Sequence, residues 1–466
     1  MVAELMRHQI EGVAFLMEER AGLLAFEQGL GKTLVVIDAF RRLFLSGKVE
    51  RLLVVCPNSL KRNWVAEVKK FAPALAVEIA EGNPSARRRT FAWSKAEVIV
   101  TSYETARVEV TAILAFLSIH RTVLVLDESH SAKNWRSLTS VAMRHFAPRS
   151  EYRWLLSGTP ITNTPADLFT QIDILMPGVR PLGSLDAFLE RIELDPKAAF
   201  AKPLLDRIVM RRTKEECLDL PEKSFTDVAV ELPAWQRRLY DEMRKKMVAS
   251  IQGMSGQEYR AFASTALAQL TRLSQLASNP GLIFPEISGT PAKFEILDSL
   301  VGDIVSVSGR KVIIWSNYVR NIESLLDRFA TYGAVAIYGG VEAAGRQEVA
   351  ARFQADPAVR VLIANAAAAG SGFTLTSACF AIYESMSWRY DHYAQSQDRN
   401  HRIGQNLPVS YFRLIAEDTI DEAIATALGR KAGMARHLLG DGDGVPALSQ
   451  LSVAEMARLI GTNQFP

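Results

Sequence analysis

The sequence predicts an α/β protein with two doubly wound, parallel-sheet lobes and helical insertions between them. Short apolar runs alternate with helical patterns in both halves of the chain. This alternation is typical of parallel sheets that are covered by helices on both faces. The chain has 466 residues, of which 48% are hydrophobic, so each lobe has enough residues for its own core. Two similar α/β halves in one chain favour a cleft between two lobes.

The bulk composition bounds the function only loosely. The formal net charge is +3, so a nucleic-acid site would have to be a local basic patch. The three cysteines, Cys56, Cys217 and Cys379, have neither metal nor disulfide spacing, which fits a reducing, intracellular compartment. No apolar run reaches membrane-spanning length and the N-terminus does not resemble a signal peptide, so we expect no membrane partner.

The first element that carries chemistry lies within Leu23–Thr33. An apolar run over Gly22–Phe26 predicts a short buried strand, and the residues from Leu34 to Phe40 have helical spacing. A glycine turn with Gly-Lys-Thr joins the two. A strand, a glycine turn and a helix in this order are the context that a phosphate-binding loop needs.

Four residues of this turn have expected roles. Gly29 and Gly31 let backbone N–H groups surround phosphate oxygens at the positive end of the helix. Lys32 would reach the β- and γ-phosphates, and the Thr33 hydroxyl would hold Mg²⁺. The strict pattern has glycine where Phe26 stands. The alternative is an ordinary helix start, because Gly-Lys-Thr also occurs there by chance.

An acidic pair follows further along the chain. Val123–Leu126 predicts a fully buried strand, and Asp127 and Glu128 stand at its end. Asp127 would hold Mg²⁺ through water, and Glu128 would orient and deprotonate the attacking water. The alternative is a helix N-cap, which the upstream Gly-Lys-Thr makes the weaker interpretation.

The rest of the first half repeats the α/β pattern. Amphipathic spacing predicts a helix over Leu5–Met17, and Asn58-Ser59 predicts a cap for a helix that carries Lys61 and Trp64. Three further strands are expected, over Arg51–Pro57, Glu97–Tyr103 and Arg153–Pro160. All of these motifs then lie at the carboxyl ends of strands, where open α/β sheets bind ligands.

Helices are expected between the two α/β patterns. Pro165–Phe200 is expected to be helical with breaks, and Pro233–Gln275 to be a helical insertion rather than a sheet layer. A second α/β pattern follows, with strands over Lys311–Ser316, Val335–Gly340, Val361–Ala364, Phe380–Tyr383 and Ser410–Leu414, and helices over Ile322–Phe329, Gly345–Phe353 and Ile420–Gly433.

An arginine pair is the last strong feature. Arg399 and Arg402 are three residues apart within Gln395–Gln405, so we expect them to share a helix face. Two such arginines would neutralise charge on a transferring phosphoryl group, a role worth about 10³–10⁵ in rate. The alternative is a salt-bridged surface helix.

Together the motifs resemble the Swi/Snf-type ATPases of helicase superfamily two, in the family's order and from Leu5 to about Lys431. The matching segments are His8-Gln9 with Gly12, Glu27–Thr33, Val55–Pro57 with Trp64, Thr101–Glu104, Asp127–His130 with Lys133-Asn134, Leu156–Pro160 with Asn163, Met210–Lys214 with Leu220-Pro221, Gly370 with Gly372 and Leu375, and Gln395–Gln405.

Several positions depart from the family's pattern. Gln28 stands where methionine is usual, Thr374 where asparagine is usual and Ala369 where glycine is usual. Ser129 and Thr374 together are more similar to the fork-remodelling, annealing-helicase branch than to nucleosome remodellers. No chromatin-reading or zinc-finger module is recognised, so we expect a bare motor of bacterial or bacteriophage origin.

The resemblance implies two RecA-like lobes that bind ATP and Mg²⁺ between them. The catalytic residues would be Lys32, Glu128, Arg399 and Arg402. The nucleotide would be bound by Gln9, which reads the adenine, and by Gly29, Gly31, Lys32, Thr33, Asp127 and Gly372. Thr33 and Asp127 would be the metal ligands.

The resemblance also implies a motor that moves on double-stranded DNA, with forked or branched DNA and DNA repair as further expectations. Contacts to the phosphate backbone carry no sequence code, and the residues expected to make them are Lys61, Ser102, Tyr103, Asn317, Gly340, Ser371 and Trp388. A strand-separating helicase and an ATP-switched DNA clamp remain as alternatives. We expect a monomer in the bacterial cytoplasm, or in the nucleus if the source is eukaryotic.

Four segments are expected along the chain. They are an N-terminal RecA-like ATPase lobe over 1–222, a helical insertion over 223–292 that belongs to the second lobe, a C-terminal RecA-like lobe over 293–439, and a flexible linker and tail over 440–466.

Overall fold

A computed structural model describes residues 4–158, 166–195, 199–251, 268–368 and 373–439. This part of the chain forms two compact units, of which the first contains the residues up to Asp219 and again those from Lys431, and the second contains Leu220–Arg430. Each unit contains one parallel sheet with helices. No helix among the described residues has both the length and the apolarity needed to cross a bilayer.

The first unit contains a seven-stranded sheet in the order β3-β4-β2-β5-β6-β1-β7, with every neighbouring pair parallel. Its strands are β1 Ala21–Phe26, β2 Arg51–Cys56, β3 Val77–Ile79, β4 Val98–Ser102, β5 Thr122–Asp127, β6 Tyr152–Leu156 and β7 Val209–Arg212. Its helices are α1 Arg7–Glu18, α2 Lys32–Leu45, α3 Lys61–Phe71, α4 Pro84–Trp93, α5 Tyr103–Val108, α6 Val110–Ile119, α7 Leu138–Phe146, α8 Ala166–Leu175, α9 Leu185–Leu194, α10 Lys202–Ile208 and α11 Lys214–Cys217.

Both faces of this sheet are covered. Alternate residues of a strand point to opposite faces, and the core residues of β1 divide accordingly. Leu24 and Phe26 belong to one buried apolar cluster, and Leu23 and Ala25 belong to another. The continuous apolar runs of the sequence therefore reflect burial on both faces, as expected for a parallel sheet.

The second unit contains a six-stranded sheet in the order β10-β11-β9-β12-β13-β8, again with parallel pairs throughout. Its strands are β8 Lys223–Val230, β9 Lys311–Trp315, β10 Val335–Ile337, β11 Val361–Ala364, β12 Ala378–Tyr383 and β13 Val409–Ala416. Its helices are α12 Ala234–Ile251, α13 over 268–278, α14 Ala292–Gly302, α15 Val319–Arg328, α16 Ala343–Ala355, α17 Tyr390–Gln397 and α18 Ile420–Leu439.

The predicted fold class, two parallel-sheet α/β lobes, is confirmed, but three edge strands were missed. β3 has only three residues, and half-exposed β7 contains two arginines. β8 is exposed along most of its length, so it shows no apolar run. Residues 223–292 are therefore not wholly helical as expected, since they begin with a strand of the second sheet. Edge strands face solvent and carry polar residues, so their sequences lack the continuous apolar run by which a buried strand is recognised.

Other expectations differ in detail. Asn58-Ser59 does not cap α3, because residues Asn58–Leu60 form a 3₁₀ turn and α3 begins at Lys61 without a capping side chain. The expected tail over 440–466, with its flexible linker, lies outside the described residues.

A buried carboxylate organises the carboxyl end of the second sheet. Glu384, directly after β12, is fully buried. Its Oε2 accepts a hydrogen bond from the Ser316 hydroxyl at 2.7 Å, and its Oε1 accepts from Ser278 and from Asn321 Nδ2. These hydrogen bonds offset the cost of removing the carboxylate from water.

Lys293 of α14 completes this polar core. Its ammonium donates to the Glu384 carbonyl at 2.9 Å and to Asp421 Oδ2 at 2.5 Å. The Lys293 and Asp421 side chains are 1% and 4% exposed. Loss of one partner would leave the other charge buried and uncompensated.

We expect Lys293→Met to destabilise the second unit by about 3–5 kcal/mol because it leaves Asp421 buried and unpaired. Hydrogen–deuterium exchange of the β12 and β13 amides in the full chain measures the change. Lys202→Met is the matched control, since its pair with Asp206 is 63% and 62% exposed and is worth less than about 1 kcal/mol. Unchanged exchange in Lys293→Met would contradict the prediction.

Candidate functional site

Two glycines shape the phosphate loop, defined here as Glu27–Thr33. Gly29 and Gly31 have φ angles of +90° and +78°, a region that residues with a Cβ seldom adopt. Gly31 directly precedes α2, and no side chain caps this helix. The first N–H groups of α2 therefore have no capping side chain to compete with an anion for them.

Lys32 is folded back onto its own loop. Its Nζ donates to the Phe26 carbonyl at 2.8 Å and to the Glu27 carbonyl at 3.3 Å. A bound phosphate group would offer this ammonium charged acceptors, which form stronger hydrogen bonds than neutral carbonyls.

Gln9 of α1 is packed against the phosphate loop. Its Oε1 accepts from the Met6 N–H at 3.0 Å, and its Nε2 donates to the Leu30 carbonyl at 3.3 Å. A Cβ at Gly31 would lie only 2.4 Å from Gln9 Nε2. The predicted adenine-reading residue therefore lies beside the loop, and its reading of adenine stays a prediction.

Asp127 ends β5 as predicted, and its carboxylate is held by two N–H donors. Trp64 Nε1 donates to Oδ2 at 2.8 Å, and the Glu128 N–H donates to Oδ1 at 2.9 Å. Burial, together with the charge of Glu128, raises the pKa of Asp127 to about 6, while the Trp64 hydrogen bond and the Lys32 charge oppose the rise. An ionised Asp127 is thus costly in this site, and a nearby cation would offset the cost.

Glu128 has an unusual backbone and a defined side-chain position. Its φ angle is +49°, a left-handed conformation that is uncommon outside glycine and recurs at functional sites. Gln28 Nε2 donates to its Oε1 at 3.3 Å, and His130 Nδ1 lies 3.4 Å from its Oε2. The carboxylate of the predicted base therefore lies next to the phosphate loop.

The sheet order explains how these two motifs meet. The acidic pair lies at the end of β5 and the phosphate loop follows β1. Only β6 lies between these two strands in the sheet. Gly158, just after β6, lies close against the phosphate loop. A Cβ there would lie 3.2 Å from Gln28 Cγ.

Sequence reasoning missed a clamp on the phosphate loop. Arg211 of β7 donates to the Ala25 carbonyl at 2.7 Å and to Glu27 Oε1 at 3.1 Å. The Lys214 N–H donates to Glu27 Oε2 at 2.9 Å. The sequence places Met210–Lys214 in the family's pattern, but only the pairing of β7 with β1 shows what these basic residues hold.

The donor set of the site fits a magnesium ion. Thr33 and Asp127 offer the hard oxygen ligands that Mg²⁺ prefers, and Mg²⁺ usually keeps waters and substrate phosphates as its remaining ligands. The described residues contain no cluster of three or more His, Cys, Asp or Glu that could hold a metal.

The residues expected to bind DNA in the first unit have local partners. Lys61 is 11% exposed, and its Nζ lies 3.3 Å from Glu81. Ser102 is buried, and its hydroxyl accepts from the Thr105 N–H at 3.1 Å. Tyr103 is also buried, and its hydroxyl donates to the Asp127 carbonyl at 2.9 Å. These contacts give Ser102 a capping role and give Tyr103 a role in fixing the acidic pair.

The arginine pair of the second unit is not helical, which corrects the expectation. α17 ends at Gln397, and Arg399 and Arg402 lie in the turns that follow, so they do not share a helix face. Arg399 is 5% exposed, and Arg402 Nη1 donates to the Phe373 carbonyl at 3.4 Å. The helix ends before it reaches the pair, because the backbone forms a turn from Asp398 onward.

The other predicted residues of the second unit are distributed along its loops. The Asn317 N–H donates to the Ser385 hydroxyl at 2.9 Å, Gly340 is exposed and Trp388 is half-buried. The remaining predicted residues, Ser371 and Gly372, lie outside the described residues, as do Thr159, Asn163, Ala369 and Gly370.

Several known proteins are similar to this chain. An uncharacterized ATP-dependent helicase of Mycoplasma pneumoniae is 30% identical over 92% of this chain and 42% of its own. The putative ATP-dependent helicase/translocase YwqA of Bacillus subtilis is 27% identical over 98% of this chain and 51% of its own. The Sulfolobus solfataricus SWI2/SNF2 ATPase core in complex with dsDNA is 26% identical, with a TM-score of 0.44 over 99% of this chain and 98% of its own.

This chain therefore spans about half, or less, of the length of these two curated relatives. Family models match most of it. The SNF2-related domain matches residues 8–282, and the helicase conserved C-terminal domain matches residues 292–404. The chain belongs to the SNF2-related family of ATP-dependent helicases.

Proposed function

We propose that this protein is a DNA-dependent ATPase that uses ATP and Mg²⁺ to translocate along duplex DNA. The observation that carries the proposal is the meeting of the phosphate loop with the acidic pair, which the 3.3 Å contact between Gln28 and Glu128 records. Nucleotide hydrolysis requires a loop that binds the phosphates and, next to it, a carboxylate that orients the attacking water.

Six residues of the first unit have distinct roles in this proposal. Lys32 binds the β- and γ-phosphates, and Gly29 and Gly31 open the loop's backbone N–H groups to them. Glu128 orients the attacking water and accepts its proton. Thr33 and Asp127 would hold Mg²⁺, which would neutralise charge on the phosphates.

Three further residues complete the proposed nucleotide chemistry. Arg399 and Arg402 neutralise charge on the transferring phosphoryl group, and Gln9 reads the adenine. Arginine suits this task because it is always charged and its planar fork matches phosphate oxygens.

DNA as the partner is supported by relatives rather than by a basic surface. The Bacillus subtilis relative is named a helicase/translocase, and a mouse relative, 26% identical over 96% of this chain and 51% of its own, is named a chromodomain-helicase-DNA-binding protein. We propose that this chain binds the phosphate backbone of duplex DNA without reading its sequence.

Forked DNA, DNA repair and a monomeric state are finer parts of the proposal. The fork-remodelling branch rests on Ser129 and Thr374. Ser129 is buried and donates to Gln171 Oε1 at 2.7 Å, and Thr374 is exposed. A reducing compartment, such as the cytoplasm of a bacterium, fits the three scattered cysteines.

We expect duplex DNA to stimulate ATP hydrolysis strongly, and Glu128→Gln to lower the stimulated rate by about 10²–10⁴-fold because the amide cannot accept a proton. The measurement compares hydrolysis without nucleic acid and with single-stranded, duplex and forked DNA. ATP binding by Glu128→Gln, followed with a fluorescent analogue, controls for folding. A rate that no DNA stimulates would contradict the proposal, and a further rise with forks would support the fork-remodelling branch.

We expect Trp64→Phe to weaken the apparent Mg²⁺ affinity in the ATPase reaction by about 10-fold, since Asp127 loses the donor that orients it. Trp154→Phe is the matched control, because Trp154 of β6 is as buried as Trp64 and belongs to the same apolar cluster, and its Nε1 donates to the Leu16 carbonyl at 3.0 Å. Titration of Mg²⁺ at fixed ATP measures both variants. Equal shifts in the two would show a general packing effect and would contradict the orienting role of Trp64.

A further inference from the structure

Among the described side chains of the phosphate loop, only that of Gln28 forms a hydrogen bond to the acidic pair. Its Nε2 lies 3.3 Å from Glu128 Oε1. The family's pattern usually has methionine at this position, and a thioether has no N–H to donate. This chain therefore places a donor where the usual residue has none.

The surrounding backbone makes this contact sterically feasible. An ideal Cβ at Gly158 would lie 3.2 Å from Gln28 Cγ and 3.4 Å from the Gln28 nitrogen. A larger residue at position 158 would press on Gln28 from the β6 side. Because Gly158 has no side chain, its backbone can lie this close to Gln28.

The other oxygen of Glu128 lies near His130. His130 Nδ1 lies 3.4 Å from Glu128 Oε2, and the Ser157 hydroxyl lies 3.3 Å from the same His130 nitrogen. Gln28 therefore donates to one oxygen of this carboxylate, whose side chain is 14% exposed, and the His130 ring lies beside the other oxygen.

We propose that Gln28 is a positioning residue for Glu128, holding its carboxylate in the orientation from which it directs the attacking water. The inference rests on the proposed ATPase function and goes one step beyond it. Gln28 acts through Glu128 and does not itself touch the reacting atoms. A carboxylate that turns freely would spend less time in the productive geometry, which lowers the rate without weakening nucleotide binding.

The test is a double-mutant cycle on the full chain with saturating duplex DNA. We expect Gln28→Met to lower kcat about 10-fold while KM for ATP stays within about two-fold, since ground-state binding is not changed. Gln28→Glu, which sets a second carboxylate against Glu128, is expected to lower kcat further. Gln354→Met, whose amide bonds Thr376 Oγ1 at 3.2 Å in the second unit, is the matched control and is expected to leave kcat unchanged.

The cycle then repeats Gln28→Met in the Glu128→Gln background, with single-turnover rates. If Gln28 acts only through Glu128, the second substitution has no further effect there. An unchanged kcat in Gln28→Met, a raised KM, or equal losses in the two backgrounds would each overturn the inference.

Failure of the wider proposal gives a different result. If wild-type protein shows no DNA-stimulated hydrolysis, or if Glu128→Gln retains the full rate, the ATPase proposal itself fails. A DNA-stimulated wild type, an inactive Glu128→Gln and a fully active Gln28→Met would overturn the positioning role alone.

Discussion

The parallel alignment of β5, β6, β1 and β7 is the constraint on which the candidate site depends. In this order every strand ends at the same edge of the sheet, so four loops that are distant in sequence meet there. Glu27 of the phosphate loop is bound to Arg211, which lies 184 residues further along the chain. The site therefore depends on the pairing of these four strands.

The candidate site contains features that lower the stability of the folded state, and the packing around the sheet compensates for them. Burial raises the pKa of Asp127 to about 6, and Glu128 has a left-handed backbone. Both features are unfavourable by themselves, by roughly one to a few kcal/mol each. Two covered faces of apolar packing around the sheet supply the stability that lets these strained positions persist.

The sequence allowed the fold class and the phosphate-binding and acidic motifs to be predicted because their signals are local. A buried strand is a continuous apolar run, and Gly29–Thr33 contains its own turn and helix start. The missed elements depend on distant partners. β7 and β8 are exposed edge strands that only their neighbours define. The contact from Gln28 to Glu128 joins residues 100 positions apart, and no spacing rule encodes it.

The arginine pair shows the opposite error. Its three-residue spacing predicted a shared helix face, but α17 ends at Gln397 and the spacing continued into turns. Periodicity indicates which residues are compatible with a helix and does not mark where the helix ends. The expected roles of Arg399 and Arg402 therefore rest on the family resemblance, and their positions were not foreseen.

Movement along duplex DNA is the central claim, and displacement of a third strand tests it most directly. A labelled oligonucleotide bound as a triplex at one end of a long duplex is released only by a protein that travels to it. We predict ATP-dependent release by the wild type, no release by Glu128→Gln, and no separation of the duplex strands. Hydrolysis without release would contradict translocation and favour an ATP-switched clamp, and separated duplex strands would favour a helicase.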